Sequence, residues 1–206
     1  MSEEVLINVT PQETRVAVVE NGVLQEVHIE RARARGIVGN IYQGRVTRIL
    51  PGMQAAFVDV GLERAAFLHA SDVRVGLRDG TEPAASPGIS ELLHDGQDVV
   101  VQVVKDPLGT KGARVTTHVT LPARYLVYMP YSRHIGVSQK IGDDAERERL
   151  RAMLKSALEG DDSGGFILRT VAGNVTEEEL ATDIRYLLRL WKVVQERTAS
   201  APACSL

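Results

Sequence analysis

Cysteine is almost missing from this chain of 206 residues. The single Cys204 cannot form an internal disulfide, and no metal site can be built from cysteines within the chain. That suits a reducing cytoplasm. Basic excess is missing as well: 24 Lys and Arg stand against 27 Asp and Glu, a formal net charge of -3. Any grip on a polyanion must therefore come from a local concentration of cations rather than from the total. No apolar run approaches the ~20 residues that cross a bilayer. The opening Met1-Ser-Glu-Glu-Val-Leu6 has no basic n-region, so neither a membrane span nor a secretory signal is expected. The histidines (His28, His69, His94, His118 and His134) show no ligand spacing, and no Ser/His/Asp or Cys/His arrangement is present. Aromatics make up only 4%, with 3 Phe in all, so where the rings fall is informative.

Two of those rings, Phe57 and Phe67, fall in the most patterned stretch, residues 39–69. It reads as three short strands joined by glycine turns. Small barrels that present rings beside cations grip single-stranded nucleic acid, with bases stacked on the rings and cations on the phosphates. Each phenylalanine is followed by an apolar residue, Val58 and Leu68. If those point inward, alternation turns the rings outward. Core packing of both rings is the competing reading, and spacing alone leaves the two open.

Strands are expected near 41–50, 54–59, 65–69, 99–105 and 114–117, which suits a five-stranded antiparallel barrel. Before it, the β-like runs 5–10, 14–20 and 23–30 are broken at Pro11 and at Asn21-Gly22, the latter a strong hairpin signal. Arg31, Arg33 and Arg35 alternate and would share one face if extended. Residues 76–88, with Pro83, Ser86 and Pro87, have loop composition and are expected to be mobile. Past Leu121 the pattern becomes mixed: strands over 125–129, 134–137 and 165–169, and helices over 143–158 and 176–197. The second helix opens on a Thr176/Glu179 capping box. Residues 199–206 have linker composition.

Two further segments carry candidate binding groups. Residues 105–114 form a glycine-rich hairpin with Lys105, Lys111 and Arg114; it lacks the Gly-Lys-Ser/Thr ending of a nucleotide-triphosphate loop. Arg169-Thr170 ends an apolar strand, where a planar guanidinium and a hydroxyl can hold an anion; a salt bridge is the alternative. The acidic pairs Asp143-Asp144 and Asp161-Asp162 lie in polar turns, and Glu177 to Glu179 open a helix. No paired carboxylates end an apolar strand, as a two-metal nuclease centre requires, so no catalytic residue is assigned.

Several motifs together resemble the ribonuclease E/G family: Asn40-Ile-Tyr-Gln-Gly-Arg-Val46, Gln54-Ala-Ala-Phe-Val-Asp-Val-Gly61, Lys111-Gly-Ala-Arg-Val-Thr-Thr117, Tyr125-Leu-Val-Tyr-Met-Pro130 and Gly164-Gly-Phe-Ile-Leu-Arg-Thr170. The resemblance implies an α+β chain in which an OB-fold (S1) barrel is inserted after an RNase H-like β-hairpin and followed by a small α/β 5′-sensor subdomain. The implied divisions are 1–37 for the partial RNase H-like part, 38–118 for the S1 domain, 119–198 for the 5′-sensor and 199–206 for a tail. It also implies that Phe57, Phe67 and Lys111 contact single-stranded RNA. Arg169 and Thr170 would hold a 5′-monophosphate, with Val127 against the terminal nucleotide. Where part of the family has an arginine pair after the sensor serine, this chain has Gln139-Lys140, and Lys140 supplies charge without the bidentate fork. The family's catalytic aspartates, its Mg²⁺ and the cysteine pair that joins subunits through Zn²⁺ match nothing in these residues. Homo-oligomers are implied for the intact enzyme only. The chain is expected to bind RNA without cutting it; a stand-alone RNA-binding or regulatory module, or a structural scaffold, are the rival readings.

Overall fold

The computed structural model describes residues 3–75, 87–158 and 163–206. They fall into two units, Met1–Val38 and Gly39–Leu206. Most of the loop expected over 76–88 lies outside the described residues, as do Asp161 and Asp162.

In the first unit, β1 (Glu3–Val9), β2 (Glu13–Glu20) and β3 (Val23–Arg31) form an antiparallel meander in that order. Asn21 and Gly22 turn β2 into β3 at φ 50° and 79°, the left-handed conformations that a tight hairpin demands. Arg31, Arg33 and Arg35 do not line one extended face. A 3₁₀ turn over Ala32–Ala34 interrupts the alternation, and the Ala32 N–H donates to the Gln12 carbonyl at 2.8 Å. Arg31 reaches Glu13 and Arg35 reaches Glu30, both at 3.4 Å, so two of the three cations are already paired.

The second unit begins with β4 (Ile41–Leu50), β5 (Ala55–Asp59) and β6 (Ala66–His69). After a one-turn helix α1 (Ile89–Leu92) come β7 (Asp98–Lys105) and β8 (Arg114–Thr116). These strands close a barrel in the order β4-β5-β6-β8-β7. The barrel is not wholly antiparallel as expected: β6 and β8 run parallel, because the crossover through α1 and β7 brings β8 back in the direction of β6. Val46, Val58, Leu68, Val101 and Val115 fill its interior, each fully buried.

Then follow β9 (Leu121–Pro122), β10 (Leu126–Met129), β11 (Ile135–Val137), α2 (Asp144–Leu158), β12 (Gly165–Leu168) and α3 (Glu177–Ser200). The sheet order is β11-β12-β10-β9, with β11 parallel to β12. Leu150 and Leu154 of α2 and Leu180, Leu187 and Trp191 of α3 share one core with Leu126, Tyr128, Phe166 and Leu168 of the sheet. The expected capping box is present. The Glu179 carboxylate accepts from the Thr176 N–H at 2.9 Å, and the Thr176 hydroxyl accepts from the Glu179 N–H at 3.3 Å.

Barrel and sheet are joined through polar as well as apolar contacts. Gln102 is buried on β7. Its amide donates to the Gly39 and Thr120 carbonyls at 3.1 and 2.9 Å, and its Oε1 accepts from the Thr120 N–H at 2.8 Å. The segment with linker composition also has a defined place. The pairing of β4 with β5 ends at Arg45 and Asp59. Beyond it, the Cys204 N–H donates to the Gln43 carbonyl at 2.6 Å and the Gln43 N–H to the Ser205 carbonyl at 2.9 Å.

Candidate nucleic-acid interface

Phe57 and Phe67 are direct cross-strand partners on β5 and β6. Their neighbours Ala56, Val58, Ala66 and Leu68 are fully buried, whereas the two rings are half-buried on the outer face. Alternation therefore decides between the two sequence readings, and it decides for the surface. The ring centroids are 6.3 Å apart and the planes stand at 71°, edge to face. Cations extend the same line of partners. Arg48 of β4 pairs with Phe57, Arg114 of β8 pairs with Phe67, and Lys105 of β7 pairs with Arg114. Arg48, Arg114 and Lys105 are all exposed. An aromatic pair flanked by cations can stack bases while neutralising phosphates. Arg114 is the compensated member, since its Nε and Nη2 donate to Asp72 Oδ2 at 3.1 and 2.8 Å.

Lys111 sits on the turn that leads into β8. Leu108 and Lys111 exchange backbone hydrogen bonds of 3.1 and 3.0 Å across it. Gly109 takes φ +57° inside that turn, and the Arg64 guanidinium donates to its carbonyl. Next to Lys111, a Cβ on Gly112 would lie 2.0 Å from the Ala65 carbonyl oxygen, so only glycine lets the chain run against the start of β6. The Lys111 side chain is exposed, on the strand side that supplies Arg114 to the row.

The second cluster lies where β12 ends. Thr170 Oγ1 and Ser138 Oγ are 3.1 Å apart, and the Lys140 N–H reaches Ser138 Oγ at 3.4 Å, so the Ser138 loop and the end of β12 are tied together. Arg169 is exposed. Its Nη1 donates to the Ala123 carbonyl at 2.7 Å and to the Arg124 carbonyl at 3.3 Å, which fixes the guanidinium beside β10. It lines a cleft of about 400 Å³ with Arg124, Tyr125, Val171, Asn174 and Glu179. Val127, half-buried and paired with Ile167 and Pro122, lies on the adjoining sheet face and not in that cleft; nor does Lys140 line it. Arg124 and Asn174 are cleft residues that sequence reasoning missed: the long-range pairing of β10 with β12 brings Arg124 near Arg169, and Asn174 follows Arg169 in a turn with no charge or motif to mark it.

Electrostatics in the cleft are well defined. The Thr176 N–H first, then the Tyr125 hydroxyl and the Thr176 hydroxyl, hold the Glu179 carboxyl below the usual glutamate range. Tyr125 is pushed above its ordinary value, chiefly because its hydroxyl donates to Glu179 Oε1 at 2.8 Å. Glu179 is therefore an anion committed to Tyr125 and Thr176. The guanidinium groups of Arg124 and Arg169 leave the cleft with a positive balance that suits an anion. Among the described residues no three His, Cys, Asp or Glu side chains converge to hold a metal ion, and no helix is long and apolar enough to cross a membrane.

Residues 120–206 match the model of the Ribonuclease E/G family. Over 201 residues the chain is 58% identical to Ribonuclease G of Salmonella typhimurium, an alignment covering 96% of this chain and 41% of that protein. Ribonuclease G of Haemophilus influenzae is 57% identical over 206 residues, 98% of this chain and 42% of the relative. Ribonuclease E of the same organism is 39% identical over 204 residues, 22% of its length. The chain thus spans about two fifths of the ribonuclease G relatives it matches. On the family model and on identity that runs through both the barrel and the four-stranded sheet, the chain belongs to the ribonuclease E/G family.

Proposed function

We propose that these residues are the RNA-positioning region of an endoribonuclease of the ribonuclease G kind, acting in the cytoplasm in RNA processing and decay. Residues 38–118 serve as the S1 domain, 119–198 as the 5′-sensor and 1–37 as part of an RNase H-like subdomain. Phe57 and Phe67 stack bases of single-stranded RNA while Lys111 meets its phosphates. Arg169 and Thr170 receive a 5′-monophosphate, the first through planar N–H donors and the second through its hydroxyl. Val127 lies against the terminal nucleotide and Lys140 adds charge from the Ser138 loop. Held at two points, a strand is fixed in register for hydrolysis, which in the intact, oligomeric enzyme is Mg²⁺-dependent and uses carboxylates outside these residues.

The observation that carries this reading is the outward-facing cross-strand pair Phe57–Phe67 on a closed barrel with cations along its row. Fluorescence anisotropy with matched 5′-monophosphorylated and 5′-hydroxyl oligoribonucleotides tests it. Binding is expected to favour the monophosphate, and Arg169→Ala is expected to abolish the preference. Phe57→Ala with Phe67→Ala should weaken both ligands, at about 1–3 kcal/mol per stacked base. Equal affinities, untouched by any of these changes, would remove the proposal.

A further inference from the structure

One extra residue on β4 decides which way Arg48 faces. Val46 pairs with Val58 and is fully buried, the next pair is Arg48 with Phe57, and the register shifts between them. Strict alternation from Val46 would aim Arg48 into the barrel, where an uncompensated guanidinium is prohibitively costly. The bulge at Thr47 reverses the parity and turns Arg48 out onto the face of the rings. Thr47 secures the bulge by donating its hydroxyl to the Phe57 carbonyl at 3.2 Å. β7 repeats the device. Val103 pairs with Val115, Lys105 pairs with Arg114, and the shift between them places Lys105 in the same row.

The two arginines that flank the ring pair differ in available charge. Arg114 is held by Asp72. Arg48 is exposed, and its guanidinium makes no ion pair or hydrogen bond with any described residue. Most arginines on helices or strands elsewhere in the chain are matched, as Arg45 is by Asp98, Arg149 by Glu146 and Arg151 by Glu148. An unmatched guanidinium, turned outward by a bulge and set beside a half-buried, outward-facing ring, is equipped for a ligand that brings its own negative charge.

We propose that Arg48 is an RNA phosphate contact, so that the sugar–phosphate backbone of the bound strand meets the Arg48 end of the row as well as Lys111. This rests on the reading that the rings stack bases, and it adds a residue to it.

The test uses the full chain and an unstructured 5′-hydroxyl oligouridylate, so that 5′-phosphate recognition does not contribute. Affinity is measured across a salt series. Each phosphate neutralised adds about 0.7 to the slope of log K against log salt for a single strand. Arg48→Gln is therefore expected to flatten the slope by about that amount and to weaken binding several-fold at low salt. Arg48→Lys should retain most of the slope. The pair Asp72→Asn with Arg114→Gln removes both charges of the compensated bridge and should leave the slope unchanged. Arg48 is exposed, so thermal unfolding of Arg48→Gln should match that of the parent. A slope unaltered by Arg48→Gln, with Phe57→Ala still weakening binding, overturns the assignment of Arg48 and spares the ring reading. Binding indifferent to Phe57→Ala overturns both.

Discussion

The Arg74 guanidinium lies 3.9 Å from the centroid of the Tyr131 ring, and that ring meets Trp191 edge to face at 5.5 Å. Arg74 follows the barrel strand β6, and its N–H donates to Thr117 Oγ1 at 2.5 Å, which fixes where its side chain begins. Tyr131 lies just past β10 and Trp191 on α3. A cation–ring–ring stack therefore couples the barrel to the helical layer behind the four-stranded sheet. Tyr131→Ala should lower unfolding free energy by about 1–2 kcal/mol, from a cation–π contact and an aromatic pair. Tyr131→Phe should cost little, because the ring makes both contacts. Urea melts of the two variants check this, and equal losses would mean that the hydroxyl, not the ring, is what matters.

Gln102 makes a second joint, of a different kind. Its buried amide satisfies Gly39 and both backbone groups of Thr120. Gln102→Leu keeps the volume and strands those groups without partners, at a cost of about 2–3 kcal/mol. The loss should show as a lower denaturant midpoint with an unchanged slope, as for a single cooperative unit. A neutral outcome would mean that water replaces the amide.

The last residues offer a clean chemical readout, because Cys204 is the only thiol. Burial first, then the Asp59 carboxylate, pushes its pKa up. A raised thiol pKa favours the folded arrangement below the ordinary thiol value and loses that advantage as pH rises through the raised value. Labelling of the parent should therefore need more alkaline solution than a free thiol. Gly61 stands at φ +77°, and a Cβ there would lie 2.2 Å from the Cys204 carbonyl oxygen. Gly61→Ala should release the strand-like contact with Gln43 and return labelling to the rate and pH profile of an ordinary cysteine. Identical profiles for parent and variant would show that the contact does not protect the thiol.

At acid pH the start of α3 is the expected weak point. The Glu179 carboxyl is held below its usual range by the Thr176 N–H and the Tyr125 hydroxyl. An acid whose folded pKa is lowered contributes stability above its unfolded value, and that contribution disappears as pH falls through the folded one. Between about pH 6 and about pH 3 the parent should lose more stability than Glu179→Gln, which has no charge to neutralise. Parallel curves would show that Glu179 titrates as if it were free.

What the sequence revealed and what it hid follow from the range of the interactions. At Phe57 and Phe67 local alternation offered an outward reading, with Val58 and Leu68 as the inward phase, but left it level with core packing; the closed barrel fixes the phase. The Thr176/Glu179 cap was readable because its signal is local. Arg48 was not, since the bulge at Thr47 leaves no mark in a pattern of residue types. Its parity is set by where Val58 and Phe57 sit on the next strand. The parallel seam between β6 and β8 and the meeting of Ser138 with Thr170 are long-range outcomes. The pairing of Cys204 and Ser205 with Gln43 uses backbone groups alone, so small-residue linker composition concealed it. Arg31, Arg33 and Arg35 show the opposite failure: an alternation that looked extended was overridden by a 3₁₀ turn.

The sheet of the first unit is apolar on both faces. Register places Val5, Ile7, Val16 and Val18 on one face, and Leu6, Ala17, Val27 and Ile29 on the other. Ile7 is 65% exposed and Val27 52%. A meander solvated on one side would alternate apolar with polar residues; two apolar faces are the pattern of a sheet covered by a layer on each side. Among the described residues its outer strands β1 and β3 also present unpaired edges. The isolated 206-residue chain is therefore expected to self-associate. Light scattering should show mass rising with concentration. Ile7→Lys alone or Val27→Lys alone should relieve this only in part, because each leaves the opposite face bare, whereas the double variant should approach a monomer. A monodisperse parent monomer at high concentration would mean that neither face needs a cover.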